Sequence, residues 1–211
     1  KRAAAGLTRQ NWKSAVLIVL AFVGIYIVRT VVSVAVQGVS DGSGMQHVKE
    51  WAAMFKNPMM WLNIAALPIN YFFVFIAFFG EEYGWRYYLQ PVLQKRFGLR
   101  AGVIILGVVW GLWHIPDDLF YYTQTSGIQM IFAQQITCIS LGIFFAYAYM
   151  KTQNIWVPVC LHYLNNNLIP IISGTFSADV LENQTVSWKD LPVALVLNGL
   201  CFGFFLLADV F

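Results

Sequence analysis

Charge is what this chain has least of. Only 11% of its 211 residues are Asp, Glu, Lys or Arg, against about 25% in an average soluble domain. Too few ionic groups are present to cover a water-facing surface, which excludes an ordinary soluble globular fold. Cysteine is sparser still. Cys138, Cys160 and Cys201 lie in apolar stretches at no metal-ligand spacing, which leaves them the role of packing residues. Low-complexity tails, long polar linkers and internal repeats are also missing, so a second domain is not expected and residues 1–211 read as one.

What remains is apolar: 59% of the residues are hydrophobic. A membrane helix needs about 20 predominantly apolar residues. Six stretches approach this, namely 14–37, 59–80 and beyond, 101–121, 128–150, 155–173 and 191–211. The expected fold is all-α, a multi-pass transmembrane helical bundle with about six membrane helices. The first stretch runs too far, and lacks a small-residue cleavage site, to be a signal peptide. The chain starts and stops abruptly, as a piece of a longer protein would.

Orientation follows from the basic residues, which concentrate on the cytoplasmic side of membrane proteins. Lys1, Arg2, Arg9 and Lys13 precede the first stretch; Lys95, Arg96 and Arg100 follow the second; Lys151 follows the fourth. Asp117, Asp118, Asp179, Glu182 and Asp190 fall in the alternate connections. The alternation puts the N-terminus in the cytoplasm. It also accounts for the net charge of +3, so nucleic acid is not an expected partner while the lipid bilayer is.

Against this background three polar constellations stand out. The first, FFGEEYGWRYY, ends an apolar run with two carboxylates. Glu82 and Arg86 are spaced i and i+4, the spacing of a helical ion pair. Glu81 points about 100° away and has no cation at i+3 or i+4, so one carboxylate is paired and the other left free. The second is WGLWHIP, where Trp110 and His114 share a helix face with Gly107 and Gly111. Small residues at that spacing let helix backbones approach. Gly80 and Gly84 repeat the device, and a contact between the second and third stretches is expected to bring Glu81 near His114. The third is CLHYLNNN, in which His162 and Asn166 share a face while Asn165 and Asn167 turn to either side.

Each group has a bland reading: solvation at a helix end, a histidine bonded to a carbonyl, interhelical polar glue. Together they read differently. At about 1.5 Å per residue, Glu81 and His162 lie roughly 10–15 Å into the membrane from the cytoplasmic ends. His114 is deeper if its helix begins at Ala101, and level if that helix starts later and runs past Pro116. One carboxylate, two imidazoles and one amide are the groups of an active site. Intramembrane ionisable residues are functional candidates by default.

These residues resemble the CAAX protease and bacteriocin-processing intramembrane proteases (the Abi or type II CAAX endopeptidase family), and the text around them resembles its bacterial branch. EEYGWR is similar to that family's E-E-x-x-x-R motif, WGLWH to its aromatic-x-x-x-His motif with Trp110 in place of the usual phenylalanine, and HYLNN to its H-x-x-x-N motif. The family-like core covers about 79–169. The resemblance implies peptide-bond hydrolysis in a membrane cavity open toward the cytoplasm. It further implies Glu81 as water-activating base, His114 assisting, His162 and Asn166 holding the oxyanion, and Glu82, Arg86 and Trp110 in support. A bacterial plasma-membrane location and a peptide or membrane-protein substrate follow from the same resemblance.

No cofactor is expected. Zinc is the competing possibility, with Glu81, His114 and His162 as its ligands, but H-E-x-x-H is missing and Asn166 suits an oxyanion better than zinc. The rival functions are bacteriocin self-immunity or peptide binding without proteolysis, and a proton-coupled transporter. The last is disfavoured by the missing repeats. Asp117 and Asp118 are expected in a solvated outer loop, and Arg29 to snorkel or pair within the bundle.

Overall fold

The computed structural model describes Leu7 and residues 11–211; Lys1, Arg2 and Arg9, used above for orientation, lie outside the described residues. Among the described residues there is helix and no strand. The order is α1 (Trp12–Ser40), α2 (Gln46–Met54), α3 (Pro58–Glu82), a π-helical segment (Tyr83–Leu89), α4 (Gln90–Phe97), α5 (Leu99–Trp113), α6 (Ile115–Phe120), α7 (Gly127–Thr152), α8 (Trp156–Ser173), α9 (Ala178–Glu182), α10 (Asp190–Cys201) and a closing 3₁₀ turn (Gly203–Leu207).

Among the described residues, four helical runs are long and apolar enough to cross a membrane: Trp12–Ser40, Pro58–Phe97, Leu99–Phe120 and Gly127–Thr152. The 18-residue α8 carries the His and Asn cluster, and α10 is shorter still. The outside of the bundle is greasy. Ile69, Phe72, Phe73 and Ile76 on α3 are each about 70% exposed, a patch that a protein dissolved in water does not carry and that acyl chains would cover.

Local sequence sets the element boundaries that matter. The α3 helix starts where the Asn57 side chain caps the Met59 amide at 3.0 Å and Pro58, lacking an N–H, takes the first position. At its other end the α-helix loosens into the π-helical stretch immediately after the two glutamates, a distortion found mostly at functional sites. The α5 helix starts at Leu99 and stops at Trp113, leaving His114 as the hinge before Pro116 opens α6. His114 therefore sits at the deep end of a helix that begins early, and the helix does not run unbroken past Pro116.

α5 packs against α7, and glycine permits it. A Cβ on Gly107 would stand 2.6 Å from the Ile139 Cα, and one on Gly111 would strike the Gln135 side chain. Gly80 and Gly84 meet nothing within 4 Å. The glycine-mediated approach thus joins the third apolar stretch to the fourth, rather than to the second. Spacing shows that a backbone can come close; it does not show which backbone. The core between α1, α7 and the closing turn is aromatic, with Phe22 stacked on Phe144 at 5.6 Å and Phe202 packed on both.

Candidate active site

Arg86 and Glu82 are among the most deeply buried side chains, with no exposure at all. Across the π-helical junction the Arg86 Nε donates to Glu82 Oε2 at 2.9 Å, while Nη1 donates to the Gly142 carbonyl at 3.3 Å. The guanidinium also lies over the rings of Trp110 and Phe145, at 5.4 and 5.5 Å. The other Glu82 oxygen, Oε1, accepts from His162 Nδ1 at 2.9 Å. The Glu82–Arg86 pair thereby ties α3 to α8 through the carboxylate and to α7 through the guanidinium. A buried charge is tolerable only when it is paired and hydrogen-bonded, and Glu82 has both partners.

Bonding at Nδ1 determines what His162 can do, since the opposite nitrogen, Nε2, is left for chemistry. The ring is held edge-on by Phe78 at 5.1 Å and Trp110 at 5.4 Å. His114 is fixed in the same manner from its own helix. Its Nδ1 donates to the Trp110 carbonyl at 2.8 Å, so its Nε2 is free as well. Trp110 lies 5.8 Å from the His114 ring and touches both imidazoles.

The three successive asparagines of α8 part company. The Asn165 Oδ1 accepts from the Tyr26 hydroxyl of α1 at 2.6 Å. The Asn167 Oδ1 accepts from Asn70 of α3 at 3.2 Å, and its Nδ2 donates to the Tyr163 carbonyl. Between them the Asn166 Oδ1 accepts from Asn165 Nδ2 at 2.9 Å. That leaves the Asn166 amide hydrogens as its free face.

A cavity of about 340 Å³ is lined by His114, His162 and Asn166, with Trp110, Gln134, Thr137 and Cys138 among its walls. Glu81 does not line it. This carboxylate is half-buried and, among the described residues, makes no hydrogen bond or ion pair. The structure thus gathers His114, His162, Asn166 and Trp110 around one space, with Glu82 and Arg86 behind them, and leaves Glu81 outside its lining. The donors do not converge as a metal site: among the described residues no three of His, Cys, Asp and Glu are grouped to hold an ion.

Several participants left no trace in the sequence. Cys138 brings its sulfur to 3.8 Å from His114 Nδ1. Tyr122, Leu181 and Gln184 line the cavity from the connections after α6 and after α8, whose backbones are joined from the Gln184 amide to the Tyr122 carbonyl at 2.9 Å. Asp118 corrects an expectation. It is fully buried, with neither carboxylate oxygen hydrogen-bonded, because α6 folds back against α7 instead of forming a solvated loop.

The cavity lies under those two acidic connections, at the end of the bundle away from the basic 95–100 and 151 positions. Two sequence expectations therefore disagree. The basic residues put this end outside the cytoplasm, and the resemblance puts the cavity mouth inside it.

The fold and site together define a multi-pass helical membrane bundle that buries a Glu–Arg–His network beside a polar cavity. Comparison with known families places it more narrowly: residues 61–168 match the type II CAAX prenyl endopeptidase Rce1-like family, and the chain belongs to it. It is 27% identical over 125 residues to a CAAX prenyl protease 2 of Methanococcus maripaludis, covering 55% of this chain and 45% of that protein. The chain therefore spans less than half the length of this curated relative. No solved structure matches it.

Proposed function

We propose that the protein is an intramembrane endopeptidase that hydrolyses a peptide bond in a membrane-associated peptide or protein. The observation that carries this reading is the set of unengaged groups around one cavity: Nε2 of His114, Nε2 of His162 and the amide hydrogens of Asn166. Each is free because its other polar atom is already bonded.

In the proposed reaction Glu81 takes a proton from a water molecule, with His114 accepting or orienting that water. The hydroxyl adds to the substrate carbonyl carbon, and the carbonyl oxygen becomes an oxyanion. Asn166 donates to it from Nδ2. His162 donates from Nε2, and because its Nδ1 donates to Glu82 the scheme requires the ring to carry both protons. With Glu82 balancing Arg86, the extra charge on His162 is directed at the oxyanion, where preorganised donors contribute most. Collapse of the intermediate breaks the C–N bond, and the proton held by Glu81 passes to the departing amine. Glu81 suits the base role because nothing else in the site competes for its lone pairs.

Every residue in this scheme comes from the protein, and no metal takes part. The relative's name suggests a prenylated CAAX sequence as the first substrate to try, and the bilayer as the place where it is met. The direct test compares new peptide N-termini in membranes carrying the wild type or Glu81→Gln, by mass spectrometry. General-base removal is expected to lower cleavage about 10²–10⁴-fold. Identical profiles from equally abundant proteins would overturn the reading and leave peptide binding or self-immunity as the function to pursue.

A further inference from the structure

The first helix lies outside the matched 61–168 segment, yet it reaches the site. Tyr26 is 5% exposed, its ring wedged against Phe22 and Phe202 at 5.0 Å from each, with the Arg29 guanidinium over its face at 5.7 Å. A phenol so enclosed must place its hydroxyl on a partner, and that partner is Asn165 Oδ1 at 2.6 Å. Asn165 then donates from Nδ2 to Asn166 Oδ1 at 2.9 Å.

The direction of this chain matters. An amide has one acceptor end and one donor end. With its oxygen facing Tyr26, Asn165 must offer its nitrogen to Asn166, and Asn166 must turn its own oxygen to Asn165. The Asn166 Nδ2 hydrogens are left to the cavity. Were Asn165 reversed, its oxygen would draw those hydrogens away from the cavity. Because three hydrogen-bonded groups in series polarise one another in the same direction, the Tyr26 hydroxyl also strengthens the donor at the far end.

We propose that Tyr26 and Asn165 are positioning residues. They form a two-step relay from α1 that fixes the Asn166 amide with its donor toward the reacting carbonyl. This rests on the endopeptidase reading and names a determinant of it outside the matched region.

A double-mutant cycle tests it. The probe is an internally quenched peptide carrying the sequence cleaved in the Glu81→Gln comparison, presented in detergent micelles. Asn166→Ala should lower kcat about 10²–10³-fold, as loss of one oxyanion donor does. Tyr26→Phe removes one oxygen and should lower kcat about three- to tenfold, the worth of one neutral hydrogen bond, with KM unchanged. Asn165→Ala, a half-buried position where folding is at less risk, should do the same. In the Asn166→Ala background neither change should lower kcat further, because nothing is left to position. If both substitutions cut kcat equally in the two backgrounds, their role is structural and the relay is wrong. If Asn166→Ala is impaired while Tyr26→Phe and Asn165→Ala match the wild type, the relay fails and the endopeptidase reading stands. If Asn166→Ala is fully active, the oxyanion assignment falls and the relay falls with it.

Discussion

Replacing Arg86 by Met separates the two jobs of the buried network. Arg86 and Glu82 are both fully buried, so deleting the guanidinium leaves the Glu82 carboxylate with only His162 to offset it. Breaking a buried pair by removing one partner costs about 3–5 kcal/mol. Lost ring contacts at Trp110 and Phe145 push toward the upper end. The double variant Arg86→Met with Glu82→Leu removes both charges, and apolar replacement of a whole pair is often close to neutral. Stability should therefore recover to within about 2 kcal/mol of the wild type, allowing about 1 kcal/mol for His162 Nδ1 losing its acceptor. Activity should not recover, because His162 then has no acceptor at Nδ1 to orient its ring. The assay is reversible unfolding in mixed micelles alongside peptide cleavage by the same samples. A loss below about 1 kcal/mol for Arg86→Met would refute the buried-pair argument. A double variant with wild-type cleavage would refute the role given to Glu82.

The proposed metal-free scheme expects dialysis against a strong chelator to leave cleavage intact, as among the described residues no three candidate ligands are grouped; loss of activity restored by zinc would overturn that scheme. Outside the bundle, the hydrogen bond from His47 to Asp41 at 2.6 Å raises the His47 pKa and lowers that of Asp41. His47 therefore stabilises this turn fully below its unfolded value of about 6.5 and ceases to as pH rises through the raised folded value. The Asp41 contribution holds above about 3.9 and is lost only in stronger acid, so the protection of the 41–47 amides, after correction for the intrinsic pH dependence of exchange, should fall on the alkaline side and hold down to mild acid. As for orientation, an impermeant thiol reagent applied to intact cells should label Asn183→Cys and fail to label Lys151→Cys. The reverse would place the cavity end in the cytoplasm.

What the sequence discloses here is what lies within one helix, and what it withholds is what passes between helices. Glu82 and Arg86 are legible because four residues of helix bring them together wherever the helix goes. The attachment of His162 to that same carboxylate spans 80 residues and has no periodic signature. The glycines show the same limit. Gly107 and Gly111 do mark a close backbone approach, but their partner is α7, since nothing in the spacing specifies the neighbour. Burial is withheld in a related way. Asp118 reads as an outer-loop acid because it follows Pro116 in an acidic connection after the third apolar stretch, and only the return of α6 onto α7 makes it an orphaned buried carboxyl.

The three asparagines show how far the two kinds of information combine. Successive residues on a helix point about 100° apart, so the sequence alone requires Asn165, Asn166 and Asn167 to face three ways. Which of the three is left for chemistry depends on who receives the others. Tyr26 on α1 takes Asn165 and Asn70 on α3 takes Asn167, and each of these bonds is between neutral groups inside the bundle, where an unmade one is costly. The same two bonds that hold α8 against its neighbours thus determine which amide remains unspent. Packing and site are one arrangement at this point, and for that reason the relay predicts a change in kcat from a helix that never touches the cavity.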